Sequence, residues 1–390
     1  MKTRSAKHVI DAPRQVGLSL VELMVALVIG LILTAGVISV YLTSKKSYSA
    51  DTGLAQVQEN GRFALSFLEP IVRMGGFMGC ARTSNPTNLV KSGTPSVTSD
   101  PAYDFGSPVE GYDFTNASVN TQVSGSYQLP TSISVDGSNS DWTPNPPSSL
   151  FDKLSYIIPG SDILVVHEAS ASQYDIEPNP PGSTNYTQSS ASGIPVASTY
   201  AATFSVGQLG IIADCKNADV FKVTDTGSGA GPIKYASTLS RSYGQGSQIA
   251  SMQTYVFYIG QSPTDKSPAL YQVSFDTSGA NAGQLGSPVE LVPDIENMQV
   301  LYGVDTSSDK VANQYVDADT VSAANAGLGE WGSVVTVRIA LIARSDDFIT
   351  DQTPATAQTF NLNGVTVTVP LDRRIRRQFV QTISLRNMLP

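Results

Sequence analysis

"VGLSLVELMVALVIGLILTAGVISVYL", Val16 to Leu42, is an apolar run with one acid, Glu22, near its start. A charged side chain at the centre of a bilayer costs about 2.5–3.5 kcal/mol on insertion scales, so the glutamate needs a reason. A secretory signal has a basic start, a short apolar core and a small-residue cleavage site after that core. Here the apolar run is about 25 residues, roughly 38 Å as a helix and enough to span a membrane. The small residue comes before the run, as Gly17. Cutting after Gly17 removes the basic leader, keeps the anchor and creates a positive amine on Leu18. Glu22 lies one helical turn from Leu18 on the same face, where it offsets the desolvation of that amine or of a neighbouring subunit's. The alternative is an ordinary anchor with Glu22 among the lipid headgroups.

Residues "GLSLVELMVALVIGLIL" resemble the prepilin signature of type IV pilins and type II secretion pseudopilins. The resemblance implies that a prepilin peptidase cuts between Gly17 and Leu18 and methylates Leu18. It also implies that Glu22, the fifth mature residue, guides assembly. The chain departs from the pattern in having Leu18 where phenylalanine is commonest, and no proline midway, which leaves Gly30 and Gly36 as soft points.

The first 17 residues carry +3 (Lys2, Arg4, Lys7 and Arg14 against Asp11), which leaves −12 for the rest of a chain whose total is −9. An acidic body of this kind repels phosphate backbones, so no general nucleic-acid binding is expected. Cys80 and Cys215 are the two cysteines of the chain. In an exported protein an even count favours one disulfide over a metal site, and two thiols cannot fill a tetrahedral zinc shell.

After the anchor, Leu54, Val57, Gly61, Leu68 and Val72 recur at helical spacing, so the same helix continues as an amphipathic one. Pro70 is expected to bend or end it within a turn, and "MGGFMGC" to stop it. The organisation read from this is a leader (1–17), a long helix (18–78; transmembrane about 18–42, amphipathic about 43–72), a loop-rich insertion (79–150) with weak strands at "YDF" and "SISV", and a β-rich head (151–390). Strand signals follow at "LSYII", "DILVVHEA", "DVFKV", "MQTYVFYIG", "ALYQVSF", "VELVPDIENMQVLYGVD", "VVTVRIALIARS" and "RRQFVQTISLRN". "FNLNGVTVTV" reads as a hairpin turning at Asn363-Gly364. The fold class is α+β, pilin-like, with a largely antiparallel head.

"NGRFALSFLEPIVRMGGFMGC", "ADCKNADVF", "IENMQVLYGVD" and "RRQFVQTISLRN" resemble the PilW family of minor pilins, and more distantly the J minor pseudopilins. The resemblance implies a non-enzymatic minor pilin of the initiation or tip complex; the rivals are a pseudopilin, a tip adhesin and an anchored exported enzyme. It implies an inner-membrane protein with a periplasmic head that passes into the pilus. The implied partners are the prepilin peptidase, the other minor pilins and the major pilin, the assembly platform, and lipid through residues 18–42.

No motif implies a cofactor. His167, the one histidine left after cleavage, stands inside an apolar strand and reads as structural, and no G-x-S-x-G elbow occurs. Gly227, Gly229 and Gly231 lack a P-loop lysine and read as a turn. "DGSNSD" (136–141) and "DTSSD" (305–309) are oxygen-rich but lack EF-hand spacing. Arg373, Arg374, Arg376 and Arg377 read as a solvated strand end or a charge-blunted edge.

Overall fold

The computed structural model describes residues 17, 19–81, 87–88, 101–115, 126–129, 138–178, 186, 193–214, 216–227, 231–236, 238–322, 331–347 and 356–388. Two compact units divide the chain, Met1–Thr52 and Gly53–Pro390. Helix α1 runs Leu20–Met74. In the first unit its large apolar side chains from Leu20 to Leu42 are exposed, and the helix is long and apolar enough to cross a membrane. Two of its hydroxyls are satisfied within the helix, Thr34 Oγ1 donating to Gly30 O at 2.6 Å and Thr43 Oγ1 to Ser39 O at 2.9 Å, which suits a hydrocarbon environment.

In the second unit α1 buries Gly53, Val57, Gly61, Ala64, Leu68 and Val72, one stripe at spacings of three and four. Gly61 is there because a Cβ would run into the ring of Phe379. Pro70 sits one turn before the end, where its missing N–H costs the helix little more than its last turn. Gly76, at φ +74°, then reverses the chain and donates its N–H to His167 O at 2.8 Å.

Strands are numbered in chain order. The first six are β1 (Thr87–Asn88), β2 (Val109–Phe114), β3 (Ser126–Gln128), β4 (Trp142–Thr143), β5 (Ile163–Ala169) and β6 (Tyr174–Asp175). Next come β7 (Leu209–Ala213), β8 (Ala218–Asp225), β9 (Lys234–Tyr235), β10 (Gln248–Gln261), β11 (Pro268–Ser274) and β12 (Val289–Pro293). The last are β13 (Ile295–Val304), β14 (Gln314–Val316), β15 (Val334–Arg344), β16 (Thr359–Leu362), β17 (Val365–Thr368) and β18 (Arg376–Ser384).

Among the described residues they form a large sheet in the order β1-β8-β7-β10-β5-β2-β4, with β11, β12, β6 and β9 attached at its sides. A second sheet runs β14-β13-β15-β18 and a third β16-β17-β3. Pairing is antiparallel except β1 with β8 and β17 with β3. The α1 stripe packs on one face of the second sheet, where Val337, Ile339, Leu341 and Ile383 join a core that also takes Leu164 and Phe257 from the large sheet. The opposite face of β15, through Ala340 and Ile342, joins another core with Trp142, Tyr258 and Leu362. β15 alternates Val335, Val337, Ile339 and Leu341 with Thr336 and Arg338, but both of its faces are buried.

One expectation changes, and another is exceeded. "LSYII" forms no strand; the chain turns there with Tyr156 at φ +58°, leaving a single bridge from Ile157 to Gly260. The segment expected to be a loop-rich insertion supplies β2, which pairs with β5 and buries Val109, Tyr112 and Phe114, while Trp142 packs edge-on against Phe114. Its "YDF" is part of the sheet because Tyr112 and Phe114 face one core while Val109 faces the other, and a Cβ at Gly111 would run into Tyr302. "SISV" lies outside the described residues.

Candidate functional site

The start of α1 is where the sequence placed processing and assembly. Gly17 is exposed, and Leu18 lies outside the described residues. Ser19 caps the helix: its Oγ accepts the Glu22 N–H at 3.2 Å, while Glu22 Oε2 accepts the Ser19 N–H at 3.0 Å and the Ser19 hydroxyl at 3.2 Å. This reciprocal pair satisfies two amides that no helical carbonyl reaches, and it sets a negative charge at the positive end of the helix dipole. The signal for this box is local, S-x-x-E from Ser19 to Glu22, whereas the expectation above pairs Glu22 with the amine of residue 18. Both partners are one turn or less away.

Cys80 is half-buried beyond the helix, with Sγ 3.6 Å from Ala213 O at the end of β7. Cys215 lies outside the described residues.

In the second unit the basic run near the C-terminus is not a solvated strand end. Arg377 and Arg373 are exposed, but Arg376 is buried with a side chain 2% exposed. Its guanidinium bonds Glu296 through Nε at 2.6 Å and Nη2 at 3.0 Å. It bonds Asp372 through Nη1 at 2.6 Å and Nη2 at 2.7 Å. Arg344 adds Asp294 at 3.2 Å, and Arg374 donates to Ser345 O at 2.6 Å. Burial alone would lower the Arg376 pKa, but the bonds to Asp372 and Glu296 hold it above its ordinary value. Burial likewise pulls Asp372 upward, and Arg376 outweighs it, so this carboxyl sits below the usual range. No local pattern points to this, because Glu296 and Arg376 are 80 positions apart.

A second charge cluster has no cation among the described residues that line it. A cavity of about 200 Å³ is lined by Asp113, Asp162, Asp317 and Asp319. Asp162 accepts the Phe114 N–H at 3.1 Å and the Val300 N–H at 2.8 Å, so one carboxylate ties β2 to β13. Asp113 accepts the Asp319 N–H at 3.1 Å. Burial first, then the negative charge of Asp162, raises the Asp113 pKa. Burial raises Asp162 despite its two amide donors. The pair therefore holds protons well above the usual carboxylate range. Among the described residues no group of three or more His, Cys, Asp or Glu is arranged to hold a metal.

The remaining sequence candidates are spent on structure. His167 is fully buried, with Nδ1 2.9 Å from Thr254 Oγ1. In the 305–309 loop, Asp305 accepts the N–H groups of Ser307, Ser308 and Lys310, an Asx turn that uses its oxygens locally. In the 136–141 loop, Asp141 accepts the Ser138 N–H at 2.8 Å; Asp136 lies outside the described residues. Gly227 takes φ +57° as a turn residue, and Gly229 lies outside the described residues.

Comparison with known proteins fits this layout. A model of the prokaryotic N-terminal methylation motif matches residues 13–38, and the model of type IV pilus-assembly protein W (PilW) matches residues 256–387. No curated protein sequence matches the chain. Among solved structures, a type IV-like pilin from Thermus thermophilus is similar over 50% of this chain and 91% of its own, at 14% identity and a TM-score of 0.20, too loose a superposition to bear on the fold. The two family matches, one on the apolar helix and its leader and one on the last strands of the head, indicate a type IV pilus minor pilin.

Proposed function

We propose that this minor pilin acts in the initiation or tip complex of the pilus as a non-enzymatic subunit. The observation that carries the reading is the methylation motif and the PilW match on one chain. Prepilin peptidase cuts between Gly17 and Leu18 and methylates Leu18, the anchor holds the chain in the inner membrane, and the head faces the periplasm. The chain then joins the other minor pilins, the major pilin and the assembly platform. A compact unit of more than 300 residues is bulky for a position repeated along a tight filament, which favours few copies.

Complementation of a deletion strain tests this. Wild-type chain should begin at Leu18 by intact mass, restore surface pili, and appear sparsely in sheared pili. A mature chain starting beyond Leu42, or one as abundant as the major subunit, defeats the reading. Glu22→Ala should insert and be cleaved normally yet fail to join the pilus.

The same reading bridges Cys80 to Cys215. Supporting it, Cys80 Sγ lies beside Ala213, two residues before Cys215. A loop of about 135 residues gives a chain-entropy stabilisation of at most about 5 kcal/mol. Two alkylatable thiols in exported, denatured, unreduced protein would refute the bridge.

A further inference from the structure

Sheet edges are templates for pairing, and proteins blunt them by keeping edge strands short, charged or covered. Here β14 has 3 residues, β4 and β1 have 2, β16 has 4 and β12 has 5. β18 has 9 and pairs only with β15. From Gln378 to Ser384 it carries no charge and no proline. Val380 on it is 48% exposed. Among the described residues no backbone hydrogen bond reaches its outer side. Beside it runs a groove of about 660 Å³ between β18 and the outer edge of β16, with Phe360 and Val380 as apolar walls and Arg377 at one end. Gln378 bridges the gap through its side chain, donating to Asn361 O at 2.9 Å, so the two strands approach without pairing.

We propose that the outer edge of β18 is a docking site for an extended segment of a different subunit of the same filament, added as a further strand. Charge chooses the partner. Exposed Arg377 stands at one end of the edge and exposed Arg386 just past the other. A second copy pairing antiparallel about Val380, Gln381 or Thr382 sets Arg386 opposite Arg374, Arg376 or Gln378, so it offers the exposed arginines no acidic partner. A segment acidic near both ends and apolar between them meets an arginine at each end and Val380 in the middle, while its backbone takes up the free amides and carbonyls. The partner's class rests on the minor-pilin reading; the existence of the site does not.

The test uses the full chain in piliated cells, with a photo-crosslinking benzoylphenylalanine in place of Val380 or, as a control, of Val311, which is 59% exposed elsewhere. Position 380 should give an adduct that mass spectrometry identifies as another pilus subunit, and position 311 should not. Reversing Arg377 and Arg386 to Glu should cut the yield by about tenfold. Val380→Lys, a charge on the same strand opposite Ala340, should leave the protease resistance of the head unchanged and lose the partner on purification. No adduct at 380, an adduct only to a second copy, or a yield indifferent to charge reversal overturns the site. Pili restored by the wild-type chain without an adduct defeat this interface alone; pili that are not restored defeat the pilus reading itself.

Discussion

At its N-terminal end β13 meets Arg376 and Arg344, which pair with Glu296, Asp294 and Asp372. Four residues further on, Val300 donates its N–H to Asp162, which shares a cavity with Asp113, Asp317 and Asp319. One strand thus borders two buried charge groups. In the first the negative charges are met by guanidinium groups in bidentate geometry; in the second, Asp113 and Asp162 are met by protons and backbone amides. Each group is therefore weak in its own way. The network fails when a partner is removed, because a buried charge is then stranded, whereas the cluster fails when its protons are removed.

The largest effect expected is Arg376→Met. The methionine fits an apolar setting, but Glu296 and Asp372 lose four hydrogen bonds and stay partly buried, at a cost of about 3–5 kcal/mol. Chemical denaturation of the full chain in detergent measures it. A loss below 1 kcal/mol would mean the network is solvated after all. Next comes Asp162→Ala, which leaves the Phe114 and Val300 amides without their acceptor at the join of two sheets. Each stranded donor costs about 1–3 kcal/mol. Hydrogen exchange at those two amides should rise first.

How much of this was legible in the sequence follows from distance along the chain. The apolar run, the helical stripe from Val57 to Val72, the alternation in β15 and the Asn363-Gly364 turn are local patterns, and the structure shows them, with φ +55° and +97° at the turn. What was missed joins distant positions. Nothing local links Asp113 to Asp162, and Arg376 looks like its neighbours Arg374 and Arg377 until Glu296 and Asp372 are placed beside it. β2 reads only as a weak strand at "YDF", because it lies in a stretch of turn-forming residues and depends on β5 for its pairing. The Ser19–Glu22 box is the exception, local yet unread.

The pH dependence separates the two groups more finely. Burial raises Glu168 to about 7, and Asp113 and Asp162 move the same way, so folded chain binds protons at pH values where unfolded chain has released them. Their contribution is complete below the ordinary carboxylate range and is lost as pH rises through the raised values. Asp372 is depressed, so its contribution is present at neutral pH and lost as pH falls below the usual range. Denaturation midpoints should therefore fall from pH 5 to pH 8, and Asp113→Asn should flatten that fall while leaving the acid limb unchanged. A midpoint that rises over the same interval would show that the cluster is ionised and held by something other than protons.

The smallest effect separates a local role of Glu22 from a distant one. Its carboxylate is satisfied in a third way, by the Ser19 amide and hydroxyl within its own helix. If capping were its whole purpose, Ser19→Ala and Glu22→Ala would be equivalent, since each breaks the same reciprocal pair. Loss of the cap costs about 1 kcal/mol and is felt only in the first turn. Ser19→Ala should then raise hydrogen exchange over Leu20–Leu23 in detergent micelles and leave surface pili near wild-type number. Glu22→Ala should produce the same local fraying and lose the pili, because a neighbour's terminal amine has lost its counter-charge in a low dielectric. Equal piliation by the two variants would reduce Glu22 to a helix cap, and the pairing of one subunit's glutamate with another's terminus would have to be abandoned.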